Sequence, residues 1–221
     1  MTIFDIMGPI MVGPSSSHTA GAVRIGLVAR RLLGQTPRHA EILLHGSFAA
    51  TGAGHGTDRA IVAGLLGMAP DDPEIPYSFQ LAQKAGMEVE LRAVALRHAH
   101  PNTAVLRLTG PEGQTLTLSA SSLGGGRIRV NAIDGMEASF SGAYPTLIIR
   151  NEDRPGIVAE VSQVLSRCNA NIAAMQLYRD RRGGLAVMVI ECDAPLPAEA
   201  RRSLAALDGV VRCTYLDMEG A

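Results

Sequence analysis

Lysine is almost absent from this chain. Among the 20 basic residues in 221, Lys84 is the single lysine. A lysine Schiff base with pyridoxal phosphate, or a phosphate-loop lysine, would have to use that residue. It sits in Q-L-A-Q-K-A-G-M, which has no phosphate-binding glycine pattern, and reads as a surface lysine. An excess of positive charge is missing too: 20 basic residues face 21 acidic ones, a net charge of −1, so no summed field draws the chain to a phosphate backbone. Nucleic acid is excluded as an expected partner. Cysteine is sparse and odd in number, and the spacing of Cys168, Cys192 and Cys213 fits neither a disulfide framework nor a paired metal-ligand motif. Reduced, buried thiols are expected, with no metal ligand on this chain. No run approaches the roughly 18 apolar residues of a membrane span. The opening M-T-I-F-D-I-M-G-P lacks the basic start and apolar core of a signal peptide. The expected setting is the cytoplasm, without a membrane partner.

Familiar catalytic strings are missing as well. G-A-G-H-G-T lacks the third glycine of a dinucleotide loop, G-P-S-S-S is not the G-x-S-x-G elbow of a hydrolase, and no H-E-x-x-H pair supports a zinc hydrolase.

The patterning that is present divides the chain. From Thr19 to Gly34, Ala22, Ile25, Val28, Ala29 and Leu32 recur at helical spacing with Arg24, Arg30 and Arg31 opposite, which predicts an amphipathic helix ending at Gly34. Glu41 to Phe48 reads as a buried strand and Thr57 to Leu66 as a helix. The prolines and acids of Ala69 to Pro76 predict a surface loop, and a short helix follows around Phe79 to Ala85. Residues 87 to 133 alternate polar and apolar positions between H-P-N, P-E-G-Q and G-G-G turns, which predicts four antiparallel strands. The small residues after Ala138 mark a boundary, giving domains at 1–140 and 144–221. Behind it the order is βαββαβ, a ferredoxin-like unit with helices on one face of an antiparallel sheet.

Two polar strings in the first part suggest chemistry. G-P-S-S-S-H-T-A-G gathers Ser15, Ser16, Ser17, His18 and Thr19 at a helix entrance, where hydroxyls and free N–H groups can hold an anion or simply cap the helix. H-G-S-F-A-A-T-G-A-G-H-G-T-D-R places His55 and Thr57 between glycines. His18 and His55 are the proton-handling candidates, each in a loop-like setting, since imidazole titrates near neutrality. His100 and Asn102 in H-A-H-P-N-T sit on an expected hairpin turn, where they also suit the turn itself. His39 reads as a loop residue and His45 as a satisfied histidine at a strand end.

The last segment resembles an ACT domain, the small amino-acid-sensing module, through L-I-I-R-N-E-D-R-P-G-I-V-A-E-V-S-Q-V-L and the element order behind it. Pro155 suits a first helical turn and Gly156 allows close approach. The resemblance puts an effector's head group at Asn151 and Gly156, or else leaves the unit to dimerise without a ligand.

Together with S-S-L-G-G-G, the first-domain strings resemble the beta chain of the iron-sulfur-dependent L-serine dehydratases, also called L-serine ammonia-lyases. The resemblance implies an α+β chain. Its first domain, of α/β type, is similar to the allosteric substrate-binding domain of certain D-3-phosphoglycerate dehydrogenases, and the ACT domain follows it. It further implies a separate alpha chain whose cysteines hold a [4Fe-4S] cluster, L-serine as substrate and as a possible ACT ligand, and ACT-mediated homodimerisation. In such an enzyme an iron with an open position acts on the substrate hydroxyl, while a base takes the α-proton and fixed donors hold the carboxylate. Ser15, Ser16, Ser17, Thr19, Thr57, His100 and Asn102 are then the substrate-binding residues, and His18 and His55 handle protons. The alternative is a non-catalytic amino-acid sensor that regulates another enzyme.

Overall fold

The computed structural model describes residues 11–12 and 15–218, apart from the side chains of residues 51–53 and 55. Most of the stretch before Ser15 that opens the first polar string therefore lies outside the described residues. The chain divides into two compact units, Met1–Asp134 and Gly135–Ala221.

In the first unit a π-helical turn, Ser16–Ala20, runs directly into α1 (Gly21–Leu33). The apolar stripe read from the sequence is the buried face, with Ala22, Ile25, Val28 and Ala29 fully enclosed. Gly34 stops α1 in the left-handed conformation, φ 94°, and its N–H closes on the Arg30 carbonyl. There follow β1 (His39–His45), α2 (Ser47–His55), α3 (Thr57–Leu66), a 3-10 turn (Ile75–Tyr77) and α4 (Ser78–Lys84). Four strands complete the unit: β2 (Glu88–Val94), β3 (Thr103–Thr109), β4 (Thr115–Gly124) and β5 (Arg127–Ile133).

The strands stand in the order β2-β1-β3-β4-β5. β1 stands between β2 and β3, parallel to the first and antiparallel to the second, so β3, β4 and β5 form the expected antiparallel run while β2 joins the sheet through β1. Alternation identifies a strand but not its neighbour, and the helices between β1 and β2 supply the long crossover that a parallel pair requires. Residues 95–102 therefore join β2 to β3 across β1 and are not a hairpin turn. His39 opens β1 rather than lying in a loop, and its Nε2 is 3.4 Å from Glu90.

α1 and α3 cross where Gly26 meets Gly64. A Cβ on Gly64 would lie 2.1 Å from the Val23 carbonyl oxygen, and one on Gly26 would lie 2.3 Å from that of Ile61. Backbone touches backbone there, and Ile25, Ile61 and Leu65 close the core around the crossing.

The second unit opens with β6 (Met136–Phe140), which occupies the stretch read as a boundary. The turn lies earlier, at Asp134 (φ 50°) and Gly135 (φ 80°), the left-handed pair that a tight two-residue turn favours. Buried Ala138 and Phe140 then alternate with polar neighbours as a strand requires. β7 (Thr146–Glu152), α5 (Ile157–Arg167), β8 (Ile172–Arg179), β9 (Leu185–Cys192), α6 (Ala198–Ala205) and β10 (Val210–Leu216) follow. Their sheet order is β10-β7-β9-β8, with all pairs antiparallel, as expected of the ferredoxin-like arrangement. Leu147, Ile149, Val161, Leu165, Met188 and Leu204 form its core. Arg154 clamps the start of α5. Its guanidinium meets both oxygens of Glu160 at 3.0 Å and donates to the Asp208 carbonyl at 2.7 Å.

Two stability effects follow from this packing. Gly64→Ala gains helix propensity but forces the crossing apart, and urea unfolding should show a net loss of about 2 kcal/mol; an unchanged midpoint would mean that the helices do not touch as described. The Arg154 guanidinium holds the Glu160 carboxyl below its ordinary value of 4.5. A depressed folded value stabilises above the unfolded one and is lost as pH falls through the folded one. Glu160→Gln should therefore lower the denaturation midpoint at neutral pH, and the two proteins should converge well below pH 4.5.

Candidate active site

The first polar string folds into a π-helical turn, not an open loop. Ser15 stands before it in extended conformation (φ −134°, ψ 117°), and its Oγ accepts the His18 backbone N–H at 3.3 Å. The wide turn brings the side chains at 15, 17 and 18 together. His18 Nδ1 lies 3.2 Å from both Ser15 Oγ and Ser17 Oγ, and the two hydroxyls are 3.3 Å from each other. On the opposite side of the ring, Nε2 is 3.1 Å from Ser47 Oγ, and Phe48 packs edge-on with ring centroids 5.4 Å apart.

Sequence reasoning missed Ser47, having assigned H-G-S-F to the end of a strand. The strand stops at His45, and Gly46 turns the chain with φ 57° so that Ser47 begins α2. A Cβ at Gly46 would lie 2.6 Å from the Pro101 carbonyl oxygen, and that oxygen accepts the Ser47 N–H at 2.8 Å. The glycine followed by S-F-A-A was the available signal for a helix start. His45 is a satisfied histidine as expected: its Nδ1 accepts the Leu96 N–H at 3.1 Å.

Ser16 faces the opposite way, and its Oγ accepts the Gly125 N–H in the turn between β4 and β5 at 3.2 Å. Thr19 points inward, 3% exposed, and Thr57, the first residue of α3, is fully buried. Among the described residues, neither Thr19 Oγ1 nor Thr57 Oγ1 has a hydrogen-bond partner, and the same is true of buried Ser122 Oγ on β4. The π-helical turn packs against α2, α3 and β4. His55 is the last residue of α2, which corrects its loop-like reading; its side chain lies outside the described residues.

His100 and Asn102 are fixed by their own backbone. His100 Nδ1 accepts the Asn102 N–H at 3.1 Å, and the Asn102 carbonyl accepts the Ser122 N–H at 2.9 Å. Thr103 Oγ1 donates to the His100 carbonyl at 2.7 Å and meets Ser121 Oγ at 2.8 Å, which in turn accepts from Asn131 at 2.8 Å. The structure thus joins Ser15, Ser17, His18 and Ser47 in one cluster. Through Pro101 it also ties the loop carrying His100 and Asn102 to the start of α2.

In the second unit, Asn151 near the end of β7 is fully buried; its Nδ2 donates to the Glu152 carbonyl, while its Oδ1 has no partner among the described residues. Gly156 caps α5 with φ 94°, which places Pro155 just ahead of the helix rather than in its first turn. Burial pushes the Cys213 thiol up to about 11 and raises that of Cys192, while Cys168 donates to the Leu165 carbonyl. Among the described residues no cluster of His, Cys, Asp and Glu could hold a metal ion. No helix among them is long and apolar enough to cross a membrane.

Two families match this chain: serine dehydratase beta chain over residues 2–94, and ACT domain over residues 145–209. A probable L-serine dehydratase beta chain from Bacillus subtilis is 39% identical over 215 residues, 97% of each chain. The L-serine dehydratase beta chain of Peptoniphilus asaccharolyticus is 36% identical over 216 residues, again 97% of each. A D-3-phosphoglycerate dehydrogenase from Archaeoglobus fulgidus is 25% identical over 205 residues, 89% of this chain and 37% of that one. With a first unit that carries the Ser-Ser-Ser-His-Thr turn, a ferredoxin-like second unit and likeness over nearly the whole length, the chain belongs to the L-serine dehydratase beta-chain family.

Proposed function

We propose that this chain is the beta subunit of a cytoplasmic L-serine ammonia-lyase, forming pyruvate and ammonia with an alpha chain that carries a [4Fe-4S] cluster. The near full-length likeness to two proteins named as L-serine dehydratase beta chains carries this reading. The spacing of Cys168, Cys192 and Cys213 makes no cluster motif, which supports placing the cluster on the partner.

The reaction needs an α-proton removed and a β-hydroxyl released as water; the aminoacrylate left behind tautomerises to an imine, which hydrolyses to pyruvate and ammonia. This chain's share is binding and proton handling. Ser15 and Ser17 hold the amino acid as neutral donors to its carboxylate, with His100 and Asn102 on the loop tied to α2; Ser16, bonded to the Gly125 N–H, and the buried Thr19 and Thr57 keep the turn in place behind them. His18 handles the proton, since the hydroxyls about its ring satisfy both neutral and protonated imidazole by rotating. His55 is the second proton-handling residue. In the second unit, Asn151 and Gly156 form the effector site, and the buried, unpartnered Asn151 Oδ1 suits the ammonium group of an amino acid such as L-serine. Homodimerisation through this unit fits the edge strand β8, where Leu177 is 46% exposed.

A second reading, a non-catalytic amino-acid sensor, draws on the same Asn151 oxygen and on the likeness to D-3-phosphoglycerate dehydrogenase. The two readings separate in one assay. Mixed anaerobically with its alpha chain, the wild-type chain should form pyruvate from L-serine, and His18→Ala should lower kcat by about 10²-fold. Saturable serine binding by this chain, with no pyruvate from the mixture, would support the sensor instead. Asn151→Ala should remove serine binding at the second unit, read by calorimetry on the full chain as the loss of one site, and leave the cooperative unfolding transition in place.

A further inference from the structure

β2 is the outermost strand of the first unit's sheet, and among the described residues β1 is its only strand neighbour. The Glu88 N–H donates to the Arg38 carbonyl at 2.8 Å, on the side toward β1. Along a strand these groups alternate in direction, so the N–H and C=O of Val89, Leu91 and Ala93 face away from β1, at the outer edge. Glu88 and the run from Glu90 to Ala93 are exposed. Leu91 is 39% exposed, although Ile42, beside it on β1, is fully buried. An apolar side chain and a row of outward-facing backbone groups thus stand where the sheet stops.

We propose that this edge pairs with the same edge of a second copy of the chain, antiparallel, about a two-fold axis through Leu91. The interface lies in the first unit, is independent of any pairing through the second, and holds whether the chain serves a lyase or a sensor. The charge order selects the occupant. About that axis Leu91 faces its own counterpart, Val89 faces Ala93 of the other copy, and Glu90 faces Arg92, each of the last two pairings occurring twice. Val89, Leu91 and Ala93 exchange the backbone hydrogen bonds. Glu90 and Arg92 then form the non-hydrogen-bonded pairs, whose side chains approach most closely. Within one copy Glu90 and Arg92 meet at 2.9 Å, yet their side chains remain 50% and 62% exposed, so a second such pair can close the four charges into a ring. Neighbouring axes are worse: one through Val89 sets Glu88 against Glu90, and one through Ala93 sets Arg92 against Val94. A parallel pairing in register sets Glu90 against Glu90. Charges that guard an edge against other strands here select one self-complementary register.

The test is a disulfide between copies in the full chain, formed under mild oxidation and identified by its peptide, so that pairing through the second unit does not register. Leu91→Cys should cross-link to itself, because residues facing each other in this register have Cα atoms about 5.5 Å apart, a usual separation for a disulfide. Ala93→Cys should not, because its two copies are offset along the strands by roughly 13 Å. Adding either Arg92→Glu or Glu90→Arg to Leu91→Cys puts like charges across the axis, and each should lower the yield about tenfold. An equimolar mixture of these two double variants should restore it, since their edges are complementary to each other, and that recovery also shows both to be folded. Absence of the bond at position 91, equal cross-linking at position 93, or a mixture no better than its components would overturn the proposal.

Discussion

The arrangement around His18 depends on how closely the start of α1 can approach β4. A Cβ on Gly21 would lie 2.1 Å from Ser122 Oγ, so only glycine lets the helix settle there. That contact fixes where the π-helical turn ends and α1 begins, and the turn carries His18 and its serines. The second constraint is the Gly26 and Gly64 crossing, which sets the separation of α1 from α3. α3 begins at Thr57, so the same crossing fixes the second polar string relative to the first. Site geometry here is a consequence of backbone proximity, and small residues are its means.

Much of the fold was legible because the amphipathic signals were local. The stripe of Ala22, Ile25, Val28 and Leu32, the stop at Gly34 and the order of elements after β7 are all found as read. Non-local facts were not legible. Nothing in Val89 or Leu91 says that β2 lies parallel to β1, and the small residues around Ala138 concealed a strand whose buried positions are only Ala138 and Phe140. In the site, the residue types were readable and their grouping was not. Ser15, Ser17 and His18 converge because the turn is π-helical, while Ser47 joins them only through the tertiary packing of α2. The signal for Ser47 was present in Gly46, whose positive φ converts a strand end into a helix start.

The chemistry divides along the same lines as the residues. This chain is rich in neutral donors at its candidate site and keeps Cys192 in the core of its second unit, with Cys168 and Cys213 packed against that core. On the proposed function, this chain binds the amino acid and handles its proton, and the departure of the β-hydroxyl falls to the partner. The second unit adds an asparagine with an open acceptor beside a helix start, a setting suited to the head group of an amino acid.

The central claim is that this chain works as half of an enzyme, and the most direct test is anaerobic capture of the chain from its native source. Iron content, visible absorbance and pyruvate formation from L-serine are then measured on what copurifies. The account predicts a cysteine-bearing second chain, broad iron-sulfur absorbance and serine-dependent pyruvate. Recovery of this chain without iron, or with a dehydrogenase as partner and no pyruvate, would contradict it.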